Sequence, residues 1–136
     1  MGYDLHITRK KYHFDEEGPV ITPEEWLSIV ENDPALTIDE ENGPYHAVWS
    51  GPSKYPDAWI DYFEGCLFSK YPDEPLIDKM VQIAKLLDAK VQGDDGEIYL
   101  GGGQEPYHED ADEEETNEPS QESRRSWWQR LLKIRA

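Results

Sequence analysis

Residues 73–100, DEPLIDKMVQIAKLLDAKVQGDDGEIYL, constrain the fold more than any other part of the sequence, because they hold most of its unbroken apolar surface. Apolar residues recur at helical period in the first half, which predicts an amphipathic helix over 75–88. The second half predicts a hairpin with strands at 89–92 and 97–100, since the intervening GDDG is dense in residues that tolerate a positive φ.

The sequence TPEEW indicates the start of another helix. Thr22 has the properties of an N-cap, Pro23 suits the first helical position, and Glu25 stands where it completes a capping box. Asn32-Asp33-Pro34 ends the helix, because the residue before a proline avoids helical geometry. The sequence therefore predicts a short helix over Pro23–Glu31.

Alternation of apolar and polar residues predicts strands in the rest of the first hundred residues. The opening GYDLHITRK alternates, and Glu64-Gly65 has the composition of a two-residue hairpin turn. The remaining strand segments are predicted at 35–39, 45–49, 58–63 and 66–71. Trp59, Asp61 and Phe63 share one strand face, which either packs on the core with Asp61 paired or forms a binding face.

These elements predict an α+β domain over residues 1–103, in which two helices cover a mostly antiparallel sheet of five or six strands. Residues 104–123 hold nine acidic residues and no basic ones, which predicts a flexible acidic linker. Residues 124–136 reverse the charge and predict a short basic amphipathic segment.

The basic segment has three possible docking sites, and the sequence leaves the choice open. It could bind back on the acidic domain, grip a partner protein, or lie on an anionic membrane surface. In each case the residues expected to make the contact are Trp127, Trp128, Arg130 and Leu131.

Charge is the strongest functional signal. The formal net charge is −17, and residues 1–103 alone hold 21 acidic and 8 basic residues. Direct binding to nucleic acid requires neutralised phosphates and is therefore not expected. An acidic surface instead favours rapid capture of a basic partner.

No catalytic constellation, metal site or cofactor motif is predicted. Asp94 and Asp95 lack the closing glutamate of an EF-hand loop. Cys66 is interpreted as a small strand residue, and His6 near Asp4 has no neighbouring nucleophile in the sequence. A single cysteine and a start without a signal-peptide pattern lead us to expect the cytoplasm.

Several stretches resemble a group of small bacterial proteins of the immunity type, which neutralise polymorphic or contact-dependent toxins. The resemblance covers residues 2–100 and lies in GYDLHITRK, TPEEW, AVW, WIDYFEG and MVQIAKLLDAKVQGDDGEIY. It implies a non-enzymatic inhibitor that blocks the toxin's active site or substrate surface. It brings no catalytic residues.

A basic toxin, directed at nucleic acid or at a nucleotide, is the partner that this resemblance and the charge imply together. The expected binding face comprises Asp15, Glu16, Glu17, Asp39, Glu40, Glu41, Tyr55, Asp57, Trp59, Asp61 and Glu64. Two alternatives stay open: a membrane or scaffold adaptor anchored by residues 124–136, and a small enzyme that uses Asp4, His6 or Asp61.

Overall fold

A computed structural model describes residues 4–108 of the chain. The chain divides into one compact unit, Met1–Pro106, and a second unit, Tyr107–Ala136. Every helix and strand described belongs to the first unit. In chain order they are β1 (Asp4–Thr8), α1 (Pro23–Glu31), β2 (Leu36–Ile38), a 3₁₀ helix (Glu40–Asn42), β3 (Ala47–Trp49), β4 (Trp59–Phe63), β5 (Cys66–Lys70), α2 (Glu74–Leu86), β6 (Lys90–Gly93) and β7 (Ile98–Tyr99).

The strands form one antiparallel sheet in the order β2-β3-β4-β5-β1-β6-β7. The predicted α+β class is thus confirmed. The sheet has seven strands, one more than the upper end of the predicted range of about five or six. Strands β2 and β7 have only three and two residues and lie within the predicted segments 35–39 and 97–100. The first strand lies inside the sheet, between β5 and β6.

The first helix matches its predicted bounds and its predicted capping box. Thr22 Oγ1 accepts a hydrogen bond from the Glu25 backbone N–H at 3.1 Å, and Glu25 Oε1 accepts one from the Thr22 N–H at 3.0 Å. The second helix begins one residue before the predicted start and ends at Leu86 instead of residue 88. It stops there because Asp88 has a φ of +57°, which helical backbone does not allow.

The predicted hairpin turn between β4 and β5 is confirmed. Phe63 and Cys66 are paired, and the two turn residues Glu64 and Gly65 have φ values of +50° and +89°. A β-carbon at Gly65 would lie 2.7 Å from the Val20 side chain, so glycine also permits a close approach here. The Gly65 carbonyl accepts a hydrogen bond from the Ile21 N–H at 2.9 Å, which fixes the chain entering α1.

Both helices pack on one face of the sheet, which we call the covered face. Its strand residues alternate along β1, β4, β5 and β6, and they meet Trp26 of α1 and the apolar stripe of α2. The strand residues buried there include Leu5, Ile7, Ala47, Ile60, Leu67 and Val91.

Arg9, at the end of β1, ties three elements together. Its guanidinium donates to both carboxylate oxygens of Glu25, at 2.9 and 2.8 Å, and also to the carbonyls of Val20 and Leu87. The hydrogen bonds from Arg9 lower the pKa of Glu25 to about 2. The bidentate pair joins Arg9 to the start of α1, and the bond to the Leu87 carbonyl joins it to the end of α2.

The C-terminal predictions fall largely outside the described residues. Most of the predicted acidic linker, and all of residues 124–136 with the docking residues Trp127, Trp128, Arg130 and Leu131, lie beyond residue 108. Within residues 4–108, neither helix has the length and apolar character needed to cross a bilayer.

Candidate partner-binding face

Strand residues that alternate with the covered-face residues point to the opposite side of the sheet, which we call the open face. On β1 these include His6, between Leu5 and Ile7. Its partner Phe68 on β5 and Phe68's own partner Asp61 on β4 lie on the same side. Trp59 precedes them on β4.

Aromatic and histidine rings lie in a row across the open face, which we call the aromatic row. His46 stacks on Trp59 with ring centroids 5.0 Å apart, and Trp59 meets Phe68 edge to face at 5.5 Å. Phe68 is the register partner of His6, whose ring stacks on His13 at 3.6 Å. Strands β1, β4 and β5, the loop after β1, and His46 just before β3 thus contribute to one surface.

The loop after β1 is held over β6 by a buried amide. Gln92 is 1% exposed, and its Oε1 accepts a hydrogen bond from the His13 backbone N–H at 2.6 Å. Its Nε2 donates to the carbonyls of Lys11 and Gly96 at 2.9 and 3.3 Å. These bonds fix the position of His13 and of Phe14, which follows it.

A histidine–aspartate pair stands toward each end of the aromatic row. His46 Nδ1 donates to Asp61 Oδ2 at 3.1 Å, and His6 Nε2 donates to Asp94 Oδ1 at 3.3 Å. The second oxygen of Asp94 accepts the Asp4 backbone N–H at 3.3 Å. Asp61 therefore faces away from the core and is paired with His46, and the binding role of this strand face stays a prediction.

His13 is the residue that sequence reasoning missed. Its Nε2 is buried and has no hydrogen-bond partner within residues 4–108. Burial lowers the pKa of His13, and the neighbouring His6 lowers it further. Two histidines separated by six residues, across the end of a strand, give no recognisable spacing. Only the fold of the loop brings their rings together.

An acidic cleft of about 620 Å³ opens between the β4–β5 hairpin, β1 and the loop after β1. Its apolar surface includes Phe63 and Phe14, which are 63% and 60% exposed. The Lys10 ammonium donates to the Asp15 carbonyl at 2.8 Å. The lining residues are Asp4, His6, Lys10, His13, Phe14, Asp15, Glu16, Val20, Phe63, Glu64, Cys66 and Phe68. Four carboxylates therefore face the cleft with one lysine.

A second cleft, of about 480 Å³, lies where β4 begins and β5 ends. Tyr55, Asp57 and Trp59 line it, together with Lys70 and Tyr71. Tyr55 is exposed, and the Lys54 ammonium lies 5.2 Å from the centroid of the Tyr55 ring.

The structure distributes the predicted binding residues over separate places. Asp15, Glu16 and Glu64 come together in the acidic cleft, and Tyr55, Asp57 and Trp59 in the second cleft. Asp39 caps the 3₁₀ helix that carries Glu40 and Glu41, and these three line neither cleft. Glu17 is exposed in the loop after β1, and Asp61 lies in the aromatic row.

Residues considered for catalysis have structural partners. The Cys66 thiol is buried and lies 3.3 Å from Thr8 Oγ1 and 3.9 Å from the His13 carbonyl oxygen. Asp4 pairs with Lys70 at 3.6 Å.

Comparison with known proteins found no matching family model, no matching curated protein and no matching solved structure.

Proposed function

We propose that this protein is a non-enzymatic inhibitor of the immunity type, which binds a basic toxin through the acidic cleft. The observation that carries the proposal is the composition of the cleft, where exposed phenylalanines lie beside four carboxylates. Monomeric proteins seldom expose large aromatic side chains together without a binding role.

A lysine or arginine side chain has the shape and charge that complement this cleft. Its alkyl stem packs on Phe63 and Phe14 while its charged end reaches Asp15 or Glu64. Arginine, when it is inserted in a pocket and shielded from water, is among the residue types that contribute most of the binding energy in protein interfaces. A basic substrate cleft blocked in this way would no longer reach nucleic acid or a nucleotide.

The overall charge is expected to raise the rate of association with a basic partner. A net charge of −17 steers a basic partner toward the protein and raises the association rate at low salt. An inhibitor produced beside a toxic enzyme benefits from rapid capture, and the cytoplasm is where we propose that it acts. The resemblance of residues 2–100 to immunity proteins supports the same function.

The test is a search for the partner followed by an inhibition assay. The full chain carries an affinity handle in its native host, and co-purifying proteins are identified after low-salt and moderate-salt washes. We expect one basic partner in stoichiometric amount, whose toxic activity the purified protein abolishes at an equimolar ratio.

Charge-reversal variants locate the interface. Asp15→Lys with Glu64→Lys should raise the concentration needed for half-inhibition at least about tenfold. The matched control, Glu40→Lys with Glu41→Lys, makes the same change in net charge on the 3₁₀ helix and should inhibit nearly as well as the wild type. Equal losses in both double variants would contradict the cleft as the binding site. Recovery of membrane lipid that depends on Trp127 and Trp128 would favour the adaptor alternative.

A further inference from the structure

We propose that His6, His13 and Asp94 form a zinc site at the edge of the acidic cleft. One ligand atom from each residue lies within 4.8 Å of the other two. Two imidazoles and a carboxylate are a ligand set that zinc accepts, with a remaining position for water or another ligand. The site would be present whether or not the open face binds a toxin.

One of the three distances between ligand atoms already matches what the metal needs. Ligands at about 2.0–2.1 Å from a tetrahedral zinc lie roughly 3.3 Å from one another. His6 Nε2 and Asp94 Oδ1 are already 3.3 Å apart. The rings of His6 and His13 are stacked nearly parallel, so metal binding would require them to tilt apart until both nitrogens point at one ion.

His13 supplies an independent reason to expect a ligand. Its Nε2 is buried, and among residues 4–108 it has no hydrogen-bond partner. Buried polar atoms in native proteins are nearly always paired, so an unpaired one needs an explanation. A metal ion bound at this nitrogen gives it a partner.

Supporting contacts hold Asp94 and the backbone of His13. The Asp4 N–H donates to Asp94 Oδ2, which leaves Oδ1 directed at His6. Gln92 holds the His13 backbone through a 2.6 Å hydrogen bond. Contacts of this kind orient the ligands of metal sites. His6 and His13 also line the acidic cleft, so water can reach the remaining coordination position from there.

The test uses zinc chloride alone and the full chain freed of metal with a chelator. Titration calorimetry, with competition by a chromophoric chelator, should show one site that weakens at least about tenfold in His13→Ala and in Asp94→Asn. His46→Ala is the matched control, because it removes a histidine from the other histidine–aspartate pair of the same face. It should leave the affinity unchanged.

Two further measurements keep the test decisive. Circular dichroism and thermal melting establish that each variant is folded. If His13→Ala disturbs the loop, Asp94→Asn still tests the site, because Asp94 is an exposed turn residue. Nuclear magnetic resonance of the imidazole nitrogens should show zinc-dependent shifts at His6 and His13, and none at His46. Equal zinc affinity in all variants, or shifts confined to other residues, would overturn the proposal and assign the binding to another part of the chain.

Discussion

Leu5 and His6 are neighbours on β1, yet their side chains meet different surroundings. Leu5 is fully buried among aliphatic residues of the sheet and of α2, whereas His6 lies in the aromatic row beside His13 and Asp94. The same alternation separates Ile60 from Asp61 and Leu67 from Phe68.

The covered face therefore accounts for the core, and the open face requires another explanation. Aliphatic residues are enough to hold helices on a sheet. Two histidine–aspartate pairs and a row of rings are not needed for that purpose. We therefore expect single substitutions on one strand to separate effects on stability from effects on binding.

The largest expected effect is on the covered face. Leu5→Ala should reduce the free energy of unfolding by about 2–5 kcal/mol, because it removes a fully buried side chain and leaves a cavity. His6→Ala, one residue away, should cost only about 1 kcal/mol through its lost hydrogen bond. Urea unfolding followed by circular dichroism measures both. A larger loss for His6→Ala would show that the open face carries the stability.

A second effect tests the packing at the edge of the covered face. A β-carbon at Gly51 would lie 2.1 Å from the Trp49 ring, so Gly51→Ala forces the indole or the backbone to move. We expect a loss of about 1–3 kcal/mol in unfolding free energy, as overpacked sites show. Ser50→Ala, at the exposed neighbouring position, should stay within about 0.5 kcal/mol. Equal stability of the two variants would mean that the indole is not fixed there.

The Arg9–Glu25 pair, on the covered face, predicts that stability depends on pH. The pKa of Glu25 is lowered from 4.5 to about 2, so its stabilising contribution is complete above pH 4.5 and is lost as the pH falls toward 2. In Arg9→Gln the pKa of Glu25 should rise toward 4.5, and the melting temperature should fall less steeply over this range. Carboxyl carbon shifts of Glu25 report the pKa directly. If the melting temperatures of variant and wild type fall equally steeply as the pH is lowered, the Arg9–Glu25 pair does not contribute to stability as predicted.

Local signals explain which parts of the fold the sequence predicts. The Thr22–Glu25 capping box lies within four residues, and the Glu64-Gly65 turn joins adjacent strands, so both follow from short-range chemistry. The central place of β1 depends on its pairing with β5 and β6, which are distant in the sequence, and alternation alone does not specify these pairings.

The candidate site was harder to predict for the same physical reason. His6 and Asp94 are 88 residues apart, and their contact follows from the pairing of β1 with β6. His13 reaches them only because Gln92 holds the loop after β1. The acidic residues were recognised by type, but their division between the two clefts and the 3₁₀ helix required the fold.

The smallest expected effect on stability is at an exposed residue of the open face, where a large effect on binding is expected. Phe63 is 63% exposed, so Phe63→Ala should change the free energy of unfolding by no more than about 0.5 kcal/mol. If the acidic cleft binds the toxin as proposed, the same substitution should weaken binding at least about tenfold, because an aromatic anchor is lost.

Leu86→Ala is the matched control for Phe63→Ala. Leu86 is 70% exposed, ends α2 and lies outside the acidic cleft, so its removal takes away exposed apolar surface without touching the proposed interface. Binding measured by surface plasmon resonance should be unchanged in this variant. If both variants weaken binding equally, exposed apolar surface in general would account for the affinity. If Phe63→Ala alone does so while the protein remains equally stable, the open face has a binding role that is independent of the core.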